Sequence, residues 1–328
     1  MNILISGTAG FIGFHLAKEL IKKKHTIIGI DNLNNYYSSK YKNIRLKILK
    51  NNKNFYFFKV DLKNKKKLNY IFKKYKPECI YHLASQPGIM YSFKNPKTYI
   101  SNNVEATKTL MSISLKNKIK KFYFTSSSSV YGNKKKFPIS ENSSLKPINL
   151  YANTKMKCEK ILLKFFKNTN IDLKIFRPFT VYGEFARPDM IFLTYLKRAS
   201  ENKDFYLFNK GNYLRDFTYV EDVAKILSRF LKIKNLKKKI YNICSSKPIK
   251  VKNLIPIIEK YTKQNTKIIL KPYRKGEMIK TYGSNKLMKD IIKYKKFTDI
   301  DTGIKKTIKW YLNFKDKNLL YFNKVKYK

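Results

Sequence analysis

A doubly wound, parallel α/β sheet followed by a smaller, mostly C-terminal region is the fold class this sequence predicts. Three observations carry it. The N-terminus reads as strand, glycine turn, helix, strand and terminal acid. Short apolar runs then alternate with helical patterns as far as about residue 180. Beyond that point the alternation gives way to loops bearing aromatic residues, Pro and Arg.

Each element follows in order. Met1–Ser6 is a short apolar run, as expected of a buried parallel strand. It opens into Gly7-Thr-Ala-Gly10-Phe11-Ile12-Gly13, and a helical pattern of Phe14, Leu16, Ala17, Leu20 and Ile21 follows. A second strand, His25–Ile30, stops at Asp31. This is a Rossmann-type unit: glycines let the backbone approach a pyrophosphate at the helix N-terminus, and the acid accepts hydrogen bonds from a ribose. A carboxylate at Asp31 repels a 2′-phosphate, so the expected dinucleotide is NAD rather than NADP. Phe55–Val60 is a third strand, ending at Asp61-Leu62, an adenine-side contact. A polar helix over Lys63–Tyr75, a strand over Cys79–Leu83 opening into Ala84–Gly88, and a long helix over Pro96–Lys116 carrying Asn103 continue the alternation. Lys121–Thr125 is a strand that delivers the run Ser126-Ser127-Ser128-Ser129. A helix over 151–168 and a strand over Asp172–Arg177 complete residues 1–180, the expected dinucleotide domain. Residues 181–328 are expected to form mainly a substrate-binding region, with 219–245 returning to the first domain.

Tyr151 and Lys155 lie four apart, on one face of their predicted helix. A Lys ammonium beside a phenol favours the phenolate and lowers a pKa that is about 10 unperturbed. Such a tyrosine can take a proton from a carbinol while a hydride leaves its carbon. A serine hydroxyl from the upstream run can carry that proton or hold a substrate oxygen. Tyr-x-x-x-Lys alone recurs by chance in so Lys-rich a chain; its weight comes from the N-terminal unit.

The chain has 328 residues, enough for one or two domains, and 43% hydrophobic residues. No apolar run reaches membrane-spanning length, and Met1 opens directly on a core strand, so a cytoplasmic protein without a leader is expected. Cys79, Cys158 and Cys244 are scattered, and with 3 His in all no metal site is expected. The formal net charge of +51 invites a nucleic-acid partner. The chain holds 65 Lys and only 7 Arg, spread along its length together with abundant Asn, Ile, Tyr and Phe. That is a compositional bias, and no specific nucleic-acid binding is expected. Where the bias uses Lys freely, an Arg marks a need for a planar two-pronged donor. Arg177, Arg187, Arg215 and Arg274 are therefore candidate phosphate ligands.

These motifs, with His82-Leu83-Ala84, Ser126–Gly132 and Arg215-Asp-Phe-Thr-Tyr-Val-Glu-Asp222, resemble the extended short-chain dehydrogenase/reductase family of nucleotide-sugar epimerases, dehydratases and decarboxylases over nearly the whole chain. The resemblance implies an NAD site at Gly7, Gly10, Phe11, Ile12, Gly13, Asp31, Asn32, Asp61, Leu62, Leu83, Ala84, Asn103, Tyr151 and Lys155. It implies Ser127, Tyr151 and Lys155 as the catalytic set. It also implies a UDP-sugar held by Ser127, Ser128, Ser129, Thr180, Arg187, Arg215 and Arg274, and a homodimer built on the helices at 96–116 and 151–168. Their apolar faces fit internal core equally well. Asn103 fits either an ordinary buried amide or a group holding backbone near Lys155. Thr180 reads as either a cap or a pocket residue, and His82 as a satisfied core histidine.

Within that family, dehydratases carry an Asp-Glu pair, and decarboxylases a Glu, where this chain has Ser128 and Ser129. Together with Thr180, Arg187-Pro-Asp-Met190 and Asp31-Asn-Leu-Asn-Asn-Tyr-Tyr37, this looks most like UDP-glucuronate 4-epimerases. Met90 stands where those usually have Arg, and Glu184 where they have Pro. UDP-glucose or UDP-N-acetylglucosamine 4-epimerisation is the alternative, followed by dehydratase, decarboxylase or reductase chemistry on the same fold.

Overall fold

The computed structural model describes residues 1–233, 236, 238–314 and 316–320. Strand β1 (Asn2–Ser6), helix α1 (Phe11–Lys22) and β2 (Thr26–Asp31) form the first βαβ unit. Helix α2 (Ser39–Lys50), β3 (Phe55–Lys59), α3 (Lys65–Tyr75) and β4 (Cys79–His82) follow. Next come α4 (Ile89–Lys94), α5 (Pro96–Tyr99), α6 (Ala106–Lys116), β5 (Lys121–Thr125), α7 (Leu150–Phe165), β6 (Asp172–Pro178) and β7 (Thr180–Tyr182). The C-terminal part holds α8 (Ile191–Ser200), β8 (Phe205–Phe208), β9 (Leu214–Tyr219), α9 (Val220–Arg229), β10 (Ile240–Ile243) and β11 (Pro248–Lys250). It continues through α10 (Leu254–Thr262), β12 (Ile268–Lys271), α11 (Lys286–Ile292) and α12 (Ile300–Asn313).

The main sheet has seven strands in the order β10-β6-β5-β4-β1-β2-β3, and every adjacent pair is parallel. This is the Rossmann arrangement. Helices cover both faces, so the strands read as continuous apolar runs rather than alternating ones. Successive residues of β1 show it: Ile3 and Ile5 enter one buried cluster, Leu4 the other. The order reverses between β1 and β4, which opens a crevice at the carboxyl ends of these strands. A three-stranded sheet, β11-β9-β7, and a two-stranded one, β12-β8, stand apart from it.

Two elements differ from expectation. Helix α2 falls where no helix was predicted. Its buried residues are Tyr41, Lys42, Arg45, Leu46 and Leu49. Their spacing is helical, but two of the five are cations, which hides the apolar stripe. Arg45 spends its donors on the Ala9 carbonyl (2.7 Å), the Tyr37 hydroxyl (2.6 Å) and the Phe185 carbonyl (2.8 Å). The helix expected over 96–116 is interrupted by a π turn, Ile100–Glu105, between α5 and α6. There the Asn103 carbonyl accepts from the Thr107 hydroxyl at 2.6 Å and from Cys158 Sγ at 3.4 Å. Among the described residues no helix is long and apolar enough to cross a membrane.

Candidate active site

The crevice begins at the glycine turn. Gly7 has φ +77°, and a Cβ there would stand 2.7 Å from the Ala84 backbone nitrogen. A Cβ at Gly13 would stand 2.2 Å from the Gly7 carbonyl oxygen. Only glycine lets β1, α1 and the loop after β4 approach this closely. Asp31, at the end of β2, accepts from the Leu33 N–H at 2.8 Å and the Ala9 N–H at 3.2 Å. Asp61 accepts from Asn32 Nδ2 at 3.3 Å, joining the ends of β2 and β3.

These residues line a cavity of about 340 Å³ that runs from Gly7–Gly13, Asp31 and Asp61-Leu62, past Leu83 and Ala84, to Ser127, Tyr151 and Lys155. Thr125 Oγ1 and Ser126 Oγ also line it, buried and without a protein hydrogen-bond partner. A glycine cradle, a ribose-height carboxylate and unpartnered hydroxyls at the far end together fit an extended dinucleotide such as NAD.

A second cavity, of about 410 Å³, lies on the other side of the same wall. Ser127, Tyr151, Thr180 and Arg187 line both. From that wall the second cavity passes Ser128, Ser129 and Met90 and reaches Arg215 and Arg274. The Arg215 guanidinium lies 4.7 Å from the Tyr213 ring centroid, and that of Arg274 lies 3.7 Å from that of Phe208. Arg274 also pairs with Glu277 at 3.4 Å.

Helix α7 carries Tyr151 and Lys155. The Asn149 side chain caps it by accepting from the Ala152 N–H at 2.8 Å. Lys155 is buried, donates to the Thr125 carbonyl at 2.8 Å and sits over the Phe124 ring. Burial lowers it to about 8, while Cys158 and Glu159 pull it back up. Tyr151 corrects the sequence reading. Burial raises its phenol, and the groups that lower it are the Ser127 hydroxyl and the Arg187 charge, not Lys155. Ser127 starts the short turn Ser128–Tyr131; its Oγ accepts from the Ser129 N–H at 3.1 Å.

Other expectations sort as follows. Arg177 lines neither cavity but makes a buried two-pronged pair with Glu159, so its reading as a phosphate ligand is replaced by a structural one. Arg187 makes a two-pronged pair with Asp189 at 2.9 and 3.1 Å and lies near Tyr151. Asn103 is buried and its neighbour Asn102 lines the first cavity instead. Asn103 ties the Gln86 N–H (2.6 Å) to the Thr154 hydroxyl (2.9 Å), joining the loop after β4 to α7. His82 is a core histidine, bonded to Ser6 and Thr107 and lowered to about 3 by burial. Sequence reasoning missed Asn34 and Lys42 in the first cavity and Arg198 in the second. Lys42 donates to the Asn34 carbonyl at 2.7 Å; its spacing of three from Arg45 was the available signal.

Fold and site together define a dinucleotide-dependent enzyme class in which a tyrosine and a serine stand between a first cavity, which a lysine also lines, and a second, Arg-lined cavity. The chain belongs to the NAD dependent epimerase/dehydratase family, whose description matches residues 3–244. It is 39% identical to an uncharacterized protein of Methanocaldococcus jannaschii, over 96% of this chain and 97% of that one. It is 31% identical to the UDP-glucuronate 4-epimerase of Thermodesulfobacterium geofontis, over 94% of this chain and 95% of that one. The crystal structure of the UDP-glucuronic acid 4-epimerase from Bacillus cereus, in complex with UDP-glucuronic acid and NAD, superposes with a TM-score of 0.89. It is 29% identical, with 98% of this chain and 100% of that chain covered.

Proposed function

We propose that this protein is an isomerase that inverts C4 of a UDP-sugar with NAD as its resident cofactor, and that its preferred pair is UDP-glucuronate and UDP-galacturonate. The observation that carries this reading is the shared wall. Ser127 and Tyr151 face a dinucleotide cavity on one side and an Arg-lined cavity on the other.

The first cavity's glycines, Asp31, Asp61 and Lys155 would hold NAD. When bound, NAD would supply the hydride acceptor and donor through which C4 could pass by way of a 4-keto sugar. Tyr151 takes the C4 hydroxyl proton with Ser127 relaying it, and gives it back after the sugar has turned over. Lys155 stays anchored by Thr125 and presents its charge to the cofactor side. Arg215 and Arg274 grip the diphosphate, which keeps the keto sugar in place while it turns.

Substrate choice rests on Arg187. Met90 offers no charge, but Arg187 stands at the reacting wall with Thr180, Ser128 and Ser129 in the same cavity. Those four supply a cation and short hydroxyls for a C6 carboxylate, and the Ser128–Ser129 pair lacks the acids that elimination or decarboxylation would use. A cytoplasmic homodimer through α6 and α7 belongs to the same reading. Ile100, in the π turn before α6, and Phe165, at the end of α7, are exposed apolar side chains, and a monomer mass by light scattering would remove the dimer. Chromatography of the purified protein with UDP-glucuronate tests the function. UDP-galacturonate should form with no change in absorbance at the NADH band.

A further inference from the structure

Behind the site, Arg177 Nε donates to Glu159 Oε1 at 2.9 Å and Nη2 donates to Oε2 at 2.6 Å. The two side chains are 2% and 1% exposed. Arg177 Nη1 donates to the Tyr131 hydroxyl at 2.9 Å, and that hydroxyl donates to Asn242 Oδ1 at 2.7 Å. Each link comes from a different element. Glu159 lies on α7, one helical turn beyond Lys155 and two beyond Tyr151. Arg177 is on β6, Tyr131 closes the turn that Ser127 opens, and Asn242 is on β10. The network fastens the helix of Tyr151 and Lys155 to the turn of Ser127. A buried ion pair contributes little net stability against a well-packed apolar alternative, so its geometry is the better account of its presence. Composition points the same way. In a chain that uses Lys almost throughout, a Lys here, with all its donors on one nitrogen, could not meet both carboxylate oxygens in parallel and the phenol from a separate nitrogen.

We propose that the Glu159–Arg177–Tyr131 chain sets the position of Ser127 relative to Tyr151, which makes Glu159 and Arg177 positioning residues for the proton transfer. The inference rests on the reading of Ser127 and Tyr151 as the reacting pair. A second consequence follows for Lys155. Two groups pull its ionisation back up, Cys158 and Glu159. Burial raises the Cys158 thiol, and Glu159 lies one helical turn from Lys155 on the same face of α7. The other groups facing Lys155 are the Thr125 carbonyl, the Phe124 ring and His82, which burial keeps neutral.

The test compares wild type, Tyr131→Phe and Glu159→Gln on UDP-glucuronate as a function of pH. Tyr131→Phe keeps the ion pair but cuts its link to the Ser127 turn. Its kcat should fall roughly tenfold to a hundredfold with KM nearly unchanged, the range expected of a small misplacement, and its alkaline limb should not move. Glu159→Gln should lose as much, and with the carboxylate near Lys155 gone its alkaline limb should move to lower pH. Wild-type kcat in Tyr131→Phe overturns the inference even if Glu159→Gln does not fold. So does an unmoved alkaline limb in a folded Glu159→Gln. A wild type inactive on every UDP-sugar would remove the reading of the reacting pair itself, and the inference with it.

Discussion

Lys155, one helical turn beyond Tyr151, donates its ammonium to the Thr125 carbonyl at 2.8 Å. The phenol is left to Ser127 and Arg187, which lower it against the burial that raises it. The two residues of the Tyr-x-x-x-Lys pair thus have separate tasks: Lys155 locks α7 to the end of β5, and Tyr151 faces both cavities.

Tyr151→Phe removes the phenol and leaves the helix and its cap intact. Its kcat should fall at least about a hundredfold, within the range for a positioned acid–base group. Substrate affinity, read by calorimetry, should change little. Near-normal turnover would move the base elsewhere.

Asp31 lines the first cavity at the end of β2, and its oxygens accept from the Ala9 and Leu33 N–H groups. Denaturing the purified protein should release NAD(H), identified by mass. NADP(H) as the main dinucleotide would refute the role given to this carboxylate.

Arg187 at the reacting wall predicts a substrate-dependent loss. Hydrogen bonds to an ionised acceptor are each worth about 1.5–3 kcal/mol. Arg187→Ala should therefore cut kcat/KM for UDP-glucuronate roughly tenfold to a hundredfold more than for UDP-glucose. Thr180→Asn should show the same bias to a smaller degree. Equal losses on both sugars would mean that neither residue reads C6.

Asp216, fully buried beside Arg215, supplies the pH prediction. Burial pushes its carboxyl up to about 6, against the Ser245 hydroxyl and the N–H groups of Gly283, Ser246 and Ser245. Its folded pKa lies above the unfolded value of 3.8. Its contribution to stability is therefore greatest below 3.8 and is lost as pH rises through about 6. The full span amounts to about 3 kcal/mol. The Tm difference between wild type and Asp216→Asn should shift toward wild type as pH falls from about 7 to 5. A difference that does not change with pH would contradict this.

The sheet was legible because its strands are buried on both faces and its first turn needs glycine at Gly7 and Gly13. The ends of the site were legible for the same reason, since Asp31 and the Ser127 turn are delivered by strand ends. Helix α2 was not, because Lys42 and Arg45 occupy its buried face. Arg177 misled for a related reason: its scarcity signalled a two-pronged partner, but sequence cannot tell a buried Glu159 from a bound phosphate. The second cavity was only outlined, because Arg198, Arg215 and Arg274 come to it from a helix, a strand and a loop that no single repeating period connects. Nor could sequence say that Lys155 would turn to Thr125.

The most direct measurement uses UDP-glucuronate carrying deuterium at C4, incubated with the purified protein and no added nicotinamide cofactor. The account predicts UDP-galacturonate with the deuterium retained at C4, because the same hydrogen leaves and returns within one site. Product that has lost its deuterium to solvent, or no turnover until NADH is supplied, would contradict it.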